Sequence, residues 1–172
     1  TKDGMNINSL EEQLKKGRVK LVYIMTSFQN PTGITWSETK KKKLLELSKK
    51  YNFFIIEDDC LSELYFSRKK PSPIKSYDKE GRVIYIKSFS KIFMPGLRLA
   101  FTLLPDKLLS NMLAAKHATD ISSAGITQRS FDFYLREGLW EKHLQEMRSL
   151  FKKRFNIMKK ALNKYMPEQV QL

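Results

Sequence analysis

The sequence predicts an α/β protein, a three-layer α/β/α sandwich with a mostly parallel sheet. Short apolar runs of strand length alternate along the chain with longer amphipathic segments of helix length, the order typical of β-α-β units. One run, over residues 53–56, is continuously apolar, as expected of a strand covered on both faces. With 172 residues, of which 41% are hydrophobic, the chain can bury a core of its own.

The first half of the chain predicts one β-α-β unit. Ser9 begins a capping-box pattern with Glu12 three residues later, so we expect a short helix to start there and to end at Gly17. Ser37 is a second cap, and Leu44 lies on the apolar side of the segment that follows it. The predicted elements are a helix over 10–16, a strand over 20–25, a helix from 38 to about 50 and a strand over 53–56.

The second half of the chain predicts two further strands and then only helices. The two strands, over 82–86 and 97–103, are rich in β-branched and aromatic residues. From Pro105 onward the apolar residues recur at helical spacing. The predicted helices cover residues 105–118, 123–136 and 139–165.

Polar stretches follow the first three predicted strands. They cover residues 30–33, 57–59 and 88–91. Open, mostly parallel sheets bind ligands beyond the carboxyl ends of their strands. The sequence therefore predicts a functional site at this edge of the sheet, built from all three stretches.

Lys91 is the candidate reactive residue of that site. A lysine amine attacks carbonyl carbons and forms imines. Arg98, seven residues further on, can grip a phosphate dianion with a planar fork of hydrogen bonds, and the hydroxyls of Ser88 and Ser90 can donate to the same group. Lysine, arginine and two serines together are typical of a site for a phosphorylated aldehyde.

Asp58 and Asn30 complete the pattern. A carboxylate at the end of a buried strand can keep a pyridine nitrogen protonated, which makes the ring an electron sink. An asparagine amide can donate to the ring's phenolic oxygen. Each residue alone also has an ordinary structural explanation, since Asn-Pro-Thr-Gly is a common turn and an aspartate often caps a helix. Their occurrence at successive strand ends indicates a pyridoxal 5′-phosphate (PLP) site.

These motifs resemble the core of the class I and II aminotransferases of fold type I. The resemblance is carried by residues 29–33, 57–59 and 88–98. It implies PLP as cofactor and one catalytic residue, Lys91, which forms the imine. It implies a cofactor-binding set of Asn30, Asp58, Ser88, Ser90, Lys91 and Arg98.

Three further segments resemble the MocR-type regulators, which join a winged-helix GntR DNA-binding domain to an aminotransferase-like effector domain. They cover residues 58–66, 71–77 and 138–144. This resemblance implies an effector-sensing module that binds an amino acid or amine, forms a homodimer in the full-length protein, and reaches DNA only through an N-terminal winged-helix domain. The alternative is a stand-alone class I/II amino-acid aminotransferase that transfers an amino group to a 2-oxo acid.

The same resemblance implies that residues 1–172 are part of a large, PLP-binding domain whose N-terminal part lies outside the chain. The helix over 138–165 would lead towards a C-terminal small domain, also outside it. The regulator pattern has a tyrosine shortly after the first aspartate, where this chain has Cys60. A thiol is a poor hydrogen-bond donor, so either Asn30 alone serves the phenolic oxygen or Cys60 packs in the core.

The chain is strongly basic, with 32 Lys and Arg against 18 Asp and Glu, a formal charge of +14. This balance suits a polyanion, so a nucleic-acid module without cofactor is a third hypothesis. The alternative is that the lysines, which occur in helical runs such as residues 40–43, simply face water.

The remaining expectations concern location and single residues. No apolar stretch reaches the roughly 18 residues of a membrane helix, and we expect a soluble, cytoplasmic protein without membrane contact. One cysteine and two distant histidines predict neither a disulfide nor a metal site. Tyr23, Trp36 and Tyr85 are expected to pack structurally, and His143 to lie on a surface or interface.

Overall fold

The computed structural model describes residues 3–17, 19–67 and 69–167. Its strands are β1 Leu21–Ile24, β2 Phe54–Asp58, β3 Val83–Ser88 and β4 Ala100–Leu103. Its α-helices are α1 Ile7–Lys16, α2 Glu38–Lys50, α3 Asp106–Thr119, α4 Gly125–Arg136 and α5 Leu139–Tyr165. Short 3-10 turns cover Ser62–Leu64, Ile74–Tyr77 and Pro95–Leu97.

The strands form one sheet in the order β1-β2-β3-β4. β1, β2 and β3 run parallel, and β4 is antiparallel to β3. The predicted α/β class and mostly parallel sheet are therefore confirmed. In the register, Tyr23 lies beside Ile56 and Asp58 beside Ile86, so these side chains point to one face of the sheet.

The opposite face, here called the core face, packs against α1 and α2. The buried side chains form one cluster of Leu14, Val22, Ile24, Trp36, Leu44, Leu47, Phe53, Ile55, Ile74 and Val83. Burying one leucine or valine of this kind contributes about 1.5–3 kcal/mol. Trp36 thus packs structurally, as expected.

The face that carries Tyr23, here called the exposed face, is more open to solvent. Leu21 and Tyr23 are 46% and 57% exposed, and Phe54 and Ile56 are only half-buried. The run over 53–56 was expected to be covered on both faces. Among the described residues it is covered fully on the core face and only partly on the exposed face. Residues of the exposed face near the strand ends are therefore accessible to a ligand.

Helix α1 begins at Ile7, three residues before the predicted start. The side chain of Asn6 accepts hydrogen bonds from the backbone N–H groups of Asn8 (2.9 Å) and Ser9 (3.2 Å), so Asn6 is the cap and Ser9 is not. The Ser37 cap of α2 is confirmed, since its hydroxyl accepts from the Lys40 N–H at 3.3 Å. Helices α2 to α5 agree with the prediction within two residues.

The lysine run of α2 does not simply face water. Lys41 is 1% exposed, and its ammonium donates to the Ser72 carbonyl at 2.7 Å. Lys40 forms an ion pair with Asp3 at 3.1 Å and lies over the Trp36 ring. Part of the basic charge therefore serves the fold. No helix among the described residues has the length and apolar character needed to cross a membrane.

Candidate functional site at the carboxyl edge of the sheet

The three predicted polar stretches lie at one edge of the sheet. Because β1, β2 and β3 are parallel neighbours, their carboxyl ends point the same way. Asp58 is the last residue of β2 and Ser88 the last of β3, while Asn30 lies in the loop that follows β1. Ser88 is two residues beyond Ile86, the register partner of Asp58, so both side chains lie on the exposed face.

Asp58 and Asp59 are adjacent in sequence but serve opposite faces of the sheet. Asp58 is half-buried, and its Oδ2 accepts a hydrogen bond from the Tyr23 hydroxyl at 2.7 Å. Asp59 is buried on the core face, where its Oδ2 accepts from the hydroxyls of Ser62 (2.7 Å) and Tyr85 (2.5 Å). The structure therefore makes Asp58 the aspartate that a ligand can reach.

The core-face group around Asp59 is a structural polar network. Lys87 is buried and pairs with Asp59 at 3.2 Å and with Glu63 at 3.5 Å. Burial raises the pKa of the Tyr85 phenol, and its hydrogen bond to Asp59 raises it further. Tyr85 thus packs structurally, as expected, and these side chains hold the segment after β2 against β3.

Tyr23 does not pack in the core, so that expectation is wrong. It is more than half exposed, and its hydroxyl donates to Asp58. That hydrogen bond is the main reason why the pKa of Tyr23 rises to about 12, with burial as a smaller cause. Alternation along β1 places Tyr23 opposite Val22 and Ile24, but only the register shows that it reaches Asp58.

The loop between β3 and β4, residues 89–99 and here called the lysine loop, brings Ser88, Ser90, Lys91 and Arg98 into one region. The Phe89 N–H donates to the Leu99 carbonyl at 3.1 Å, which closes the loop at its base. The Phe93 N–H donates to the Phe89 carbonyl at 2.9 Å, so the residues between them form a helical turn. Lys91 is exposed on this turn, and no other described residue hydrogen bonds to its amine.

Arg98 has a left-handed backbone, with φ 50° and ψ 43°. This conformation costs a residue other than glycine roughly 1–2 kcal/mol. The 3-10 turn Pro95–Leu97 and Arg98 also explain why β4 begins at Ala100 and not at residue 97 as predicted. Such a strained residue beside a candidate site indicates a functional constraint on its side chain.

Replacing Arg98 with glycine is expected to stabilise the fold relative to Arg98→Ala. Both variants lose the guanidinium, but only glycine removes the left-handed strain, while its extra backbone freedom cancels part of the gain. We expect a difference of about 0.5–1 kcal/mol in the free energy of unfolding, measured in urea. Equal stability of the two variants would contradict a strained Arg98.

The loop after β1 carries Asn30 on a closed turn. The Gln29 N–H donates to the Ile34 carbonyl at 2.9 Å, and the Gly33 N–H donates back to the Gln29 carbonyl at 2.6 Å. The Asn30 side chain is exposed, and the residue lines a cavity of about 470 Å³ together with Tyr23. Tyr23 therefore borders this cavity together with Asn30 and also hydrogen bonds to Asp58.

His143 supports the lysine loop from behind. Its Nε2 lies 2.9 Å from the carbonyl oxygen of Ile92, the residue after Lys91. The imidazole stacks on Trp140 and meets the Phe93 ring edge-on. His143, expected on a surface or at an interface, is therefore a half-buried internal contact between α5 and the lysine loop.

Cys60 is half-buried near Asp58. Burial raises the pKa of its thiol to about 11, and the negative charge of Asp58 and a hydrogen bond to that carboxylate contribute. Cys60 thus does not simply pack in the core, while the other alternative, that Asn30 alone serves the phenolic oxygen, stays a prediction. Cys60 lies beside the carboxylate of the site.

We expect the Cys60 thiol to react about tenfold more slowly with iodoacetamide at pH 8 than the same thiol in the urea-unfolded chain. Its pKa rises from 9.0 to about 11, which lowers the thiolate fraction roughly 100-fold, and the greater nucleophilicity of a more basic thiolate restores about tenfold of this. Asp58→Asn should accelerate the reaction. A folded-state rate that is still rising at pH 10 would agree with the raised pKa, and a plateau near pH 9 would contradict it.

The predicted residues are thus brought to one edge of the sheet, with Asp58 and the lysine loop on adjacent strands. The donors and charges present are an amine, a guanidinium, hydroxyls and a carboxylate, which suit an anionic ligand with a basic ring nitrogen. The described residues contain no group of three or more His, Cys, Asp or Glu side chains placed to hold a metal ion. The fold and the arrangement of these side chains define an α/β protein with a candidate ligand site at its strand ends.

The chain belongs to the class I and II aminotransferase family, whose model matches residues 2–171. It is 39% identical over 173 residues to aromatic-amino-acid aminotransferase 1 of Thermococcus litoralis, covering 98% of this chain and 42% of that protein. It is 36% identical over 154 residues to the uncharacterized HTH-type transcriptional regulator YcxD of Bacillus subtilis, covering 90% of this chain and 34% of that protein.

Solved structures agree with this assignment. The crystal structure of Pyrococcus horikoshii kynurenine aminotransferase, in complex with PMP, superposes with a TM-score of 0.94 at 39% identity. The match covers 99% of this chain and 44% of that one. The chain therefore spans less than half the length of these relatives.

Proposed function

We propose that this chain forms part of a PLP-binding, aminotransferase-like domain. The observation that carries the proposal is the placement of Asp58, Ser88 and the lysine loop at adjacent carboxyl ends of parallel strands, on the exposed face. Membership of the aminotransferase family and the PMP in the kynurenine aminotransferase structure support the choice of cofactor.

The proposed roles follow from the chemistry of each side chain. Asp58 holds a pyridine nitrogen, and Asn30 donates to a phenolic oxygen. Ser88, Ser90 and Arg98 hold a phosphate. The Phe89–Leu99 hydrogen bond, which closes the base of the lysine loop, supports this grouping. Lys91 is the residue that bonds covalently to the cofactor, and its exposed amine is available for this.

When bound, PLP supplies an electron sink that makes the α-carbon hydrogen of an attached amine acidic. With PLP bound, the Lys91 amine would be the group that accepts this proton at Nζ and later gives it up again. This proton transfer typically contributes 10²–10⁴-fold to such reactions. Asp58 supplies the negative charge that keeps the ring nitrogen protonated.

The extent of the domain is also a proposal. These residues would be part of the large domain, with α5 leading towards a small domain, in a full-length protein that forms a homodimer. The similarity to relatives more than twice as long supports it. Size-exclusion chromatography with light scattering on the full-length protein tests the dimer.

The first candidate role is effector sensing in a GntR/MocR-type transcriptional regulator, supported by the 36% identity to YcxD. Exchange of the covalent bond from Lys91 to an amino acid or amine ligand would change the domain, and DNA would be bound by a separate winged-helix domain. A basic winged-helix segment encoded upstream of residue 1 and ligand-dependent DNA binding are the expected results.

The second candidate role is a stand-alone amino-acid aminotransferase. It is favoured by the 39% identity to aromatic-amino-acid aminotransferase 1 and to the kynurenine aminotransferase. It predicts turnover of an amino acid with a 2-oxo acid by the full-length protein. A protein that binds PLP and DNA but turns over no amino acid would contradict this second role and support effector sensing.

The experiment that tests the shared proposal is a covalent trap. Full-length protein is incubated with PLP, reduced with borohydride and digested, and the modified residue is found by mass spectrometry. We expect the label on Lys91. A label on another lysine, or none at all, would contradict the proposed site, and a protein without any PLP binding would revive the charge-driven nucleic-acid hypothesis.

A further inference from the structure

Tyr23 makes a hydrogen bond to Asp58 that the fold does not require. Its ring is 57% exposed on the edge strand β1, so it adds little to the core. Its hydroxyl nevertheless makes a 2.7 Å hydrogen bond to a carboxylate 35 residues away on the neighbouring strand. A bond at an exposed position contributes little to folding, which directs attention to what it does for the carboxylate.

The hydrogen bond from Tyr23 engages only one of the two carboxylate oxygens of Asp58. The Tyr23 hydroxyl donates to Oδ2, and the half-buried Cys60 thiol also hydrogen bonds to this carboxylate. A thiol is a weak donor, and Asp58 is itself only half-buried, so the carboxylate can still accept a stronger donor from the exposed face. Since the pKa of Tyr23 rises to about 12, the phenol stays protonated and acts as a donor at neutral pH. The phenol therefore holds Oδ2, and with it the plane of the carboxylate, in place.

Asp59 provides the internal comparison. It receives the same kind of hydrogen bond, from Tyr85 at 2.5 Å, but both groups are buried on the core face. Two adjacent aspartates thus each have their own tyrosine, one on each face of the sheet. The buried Tyr85–Asp59 pair contributes to core packing. The Tyr23–Asp58 pair lies on the exposed face and does not.

We propose that Tyr23 is a positioning residue for the cofactor, which orients Asp58 so that its carboxylate receives the ring N–H of PLP. This inference rests on the proposed function. Tyr23 touches the carboxylate and not the reacting atoms, so its effect reaches the cofactor through the ring nitrogen alone. A defect in a Tyr23 variant should therefore depend on that nitrogen.

The test compares two ligands and two matched variants in the full-length protein. Dissociation constants are measured by absorbance titration for PLP and for an analogue with C–H in place of the ring nitrogen. Tyr23→Phe removes only the hydroxyl, and we expect PLP to bind about five- to tenfold more weakly while the carbon analogue changes less than about twofold. Tyr85→Phe makes the same chemical change on the core face and should lower the melting temperature with less than about twofold effect on either ligand.

A double variant tests the route through Asp58. If Tyr23 acts on the cofactor only through this carboxylate, Asp58→Asn combined with Tyr23→Phe should bind PLP as Asp58→Asn alone does. Additive losses, an equal loss for both ligands, or unchanged PLP binding by Tyr23→Phe would each overturn the inference. Circular dichroism melting of Tyr23→Phe should match the wild type, because the ring is mostly exposed.

The outcome also separates this inference from the proposed function. A borohydride label on Lys91 in the wild type, with Tyr23→Phe binding PLP normally, overturns the role of Tyr23 and leaves the site intact. Absence of the Lys91 label overturns the proposed function itself.

Discussion

Replacing Lys91 with alanine is expected to abolish the borohydride-stable PLP adduct and to lower any amino-group exchange by at least about 100-fold. The covalent bond needs an amine at this position, and proton transfer by a positioned lysine typically contributes 10²–10⁴-fold. Mass spectrometry of the reduced protein measures the adduct, and half-reaction kinetics with an amino acid measure the exchange. The expected change in the free energy of unfolding is small, because Lys91 is exposed.

Two control variants separate chemistry from charge. Lys91→Arg keeps the positive charge but has no nucleophilic amine, so it should lose the adduct as completely as Lys91→Ala. Lys116→Arg changes an exposed lysine of α3 that pairs with Asp120, and it should keep the adduct. An adduct that persists in Lys91→Ala would contradict the assignment.

Lys87 is the other lysine near the end of β3, and it is the alternative to Lys91 as the lysine that bonds to PLP. Its ammonium is buried, pairs with Asp59 and Glu63, and donates to the Ser62 hydroxyl at 2.8 Å. Breaking such a buried network costs several kcal/mol, so this amine is committed to its ion pairs. Lys91, on the turn beyond the strand end, is the lysine whose amine is available to react.

The sequence predicted most of the fold because its signals are local. Apolar runs marked the four strands, and helical spacing marked the helices from Ser37 onward. The site edge followed from the parallel order, since the ends of β1, β2 and β3 must meet at one side. Asn30, Asp58 and Ser88 were placed there without knowledge of any contact.

The rest of the site depends on long-range facts that local patterns do not contain. Alternation showed that Tyr23 faces away from Val22, but only the β1-β2 register brings it to Asp58. The contact of His143 with the Ile92 carbonyl depends on how α5 crosses the lysine loop. The lysine run over 40–43 was expected mostly to face water, and the run itself does not show that Lys41 faces the core.

Glu57 is expected to be the residue whose loss destabilises the fold most among the polar groups next to the site. It is fully buried, and its Oε1 accepts from the Thr26 hydroxyl and the Ile74 N–H, both at 2.7 Å. Its Oε2 accepts from the Lys75 N–H at 3.0 Å. Burial lowers the pKa of the nearby Lys41 ammonium, and the charge of Glu57 partly opposes that shift. Glu57→Ala leaves three buried donors unpaired, so we expect a loss of about 3–5 kcal/mol in urea unfolding.

The pH dependence of that loss has a definite sign. Burial is the main reason why the pKa of Glu57 rises above its ordinary 4.5, while its hydrogen bonds oppose the rise. A raised folded-state pKa means that Glu57 contributes most stability below about pH 4.5 and loses part of it as the pH rises through the folded-state pKa. The cost of Glu57→Ala should therefore be larger at pH 5 than at pH 7.

Glu57→Gln is the matched control, because the amide keeps the size of the side chain and one acceptor oxygen. It should cost less than Glu57→Ala, about 1–3 kcal/mol, since its NH₂ faces donors that the carboxylate accepted. A cost of Glu57→Ala that falls on acidification would show that hydrogen bonding outweighs burial at this carboxylate. Because Glu57 precedes Asp58 on β2 and points to the core face, its loss should act on the ligand site only by loosening the strand that carries Asp58.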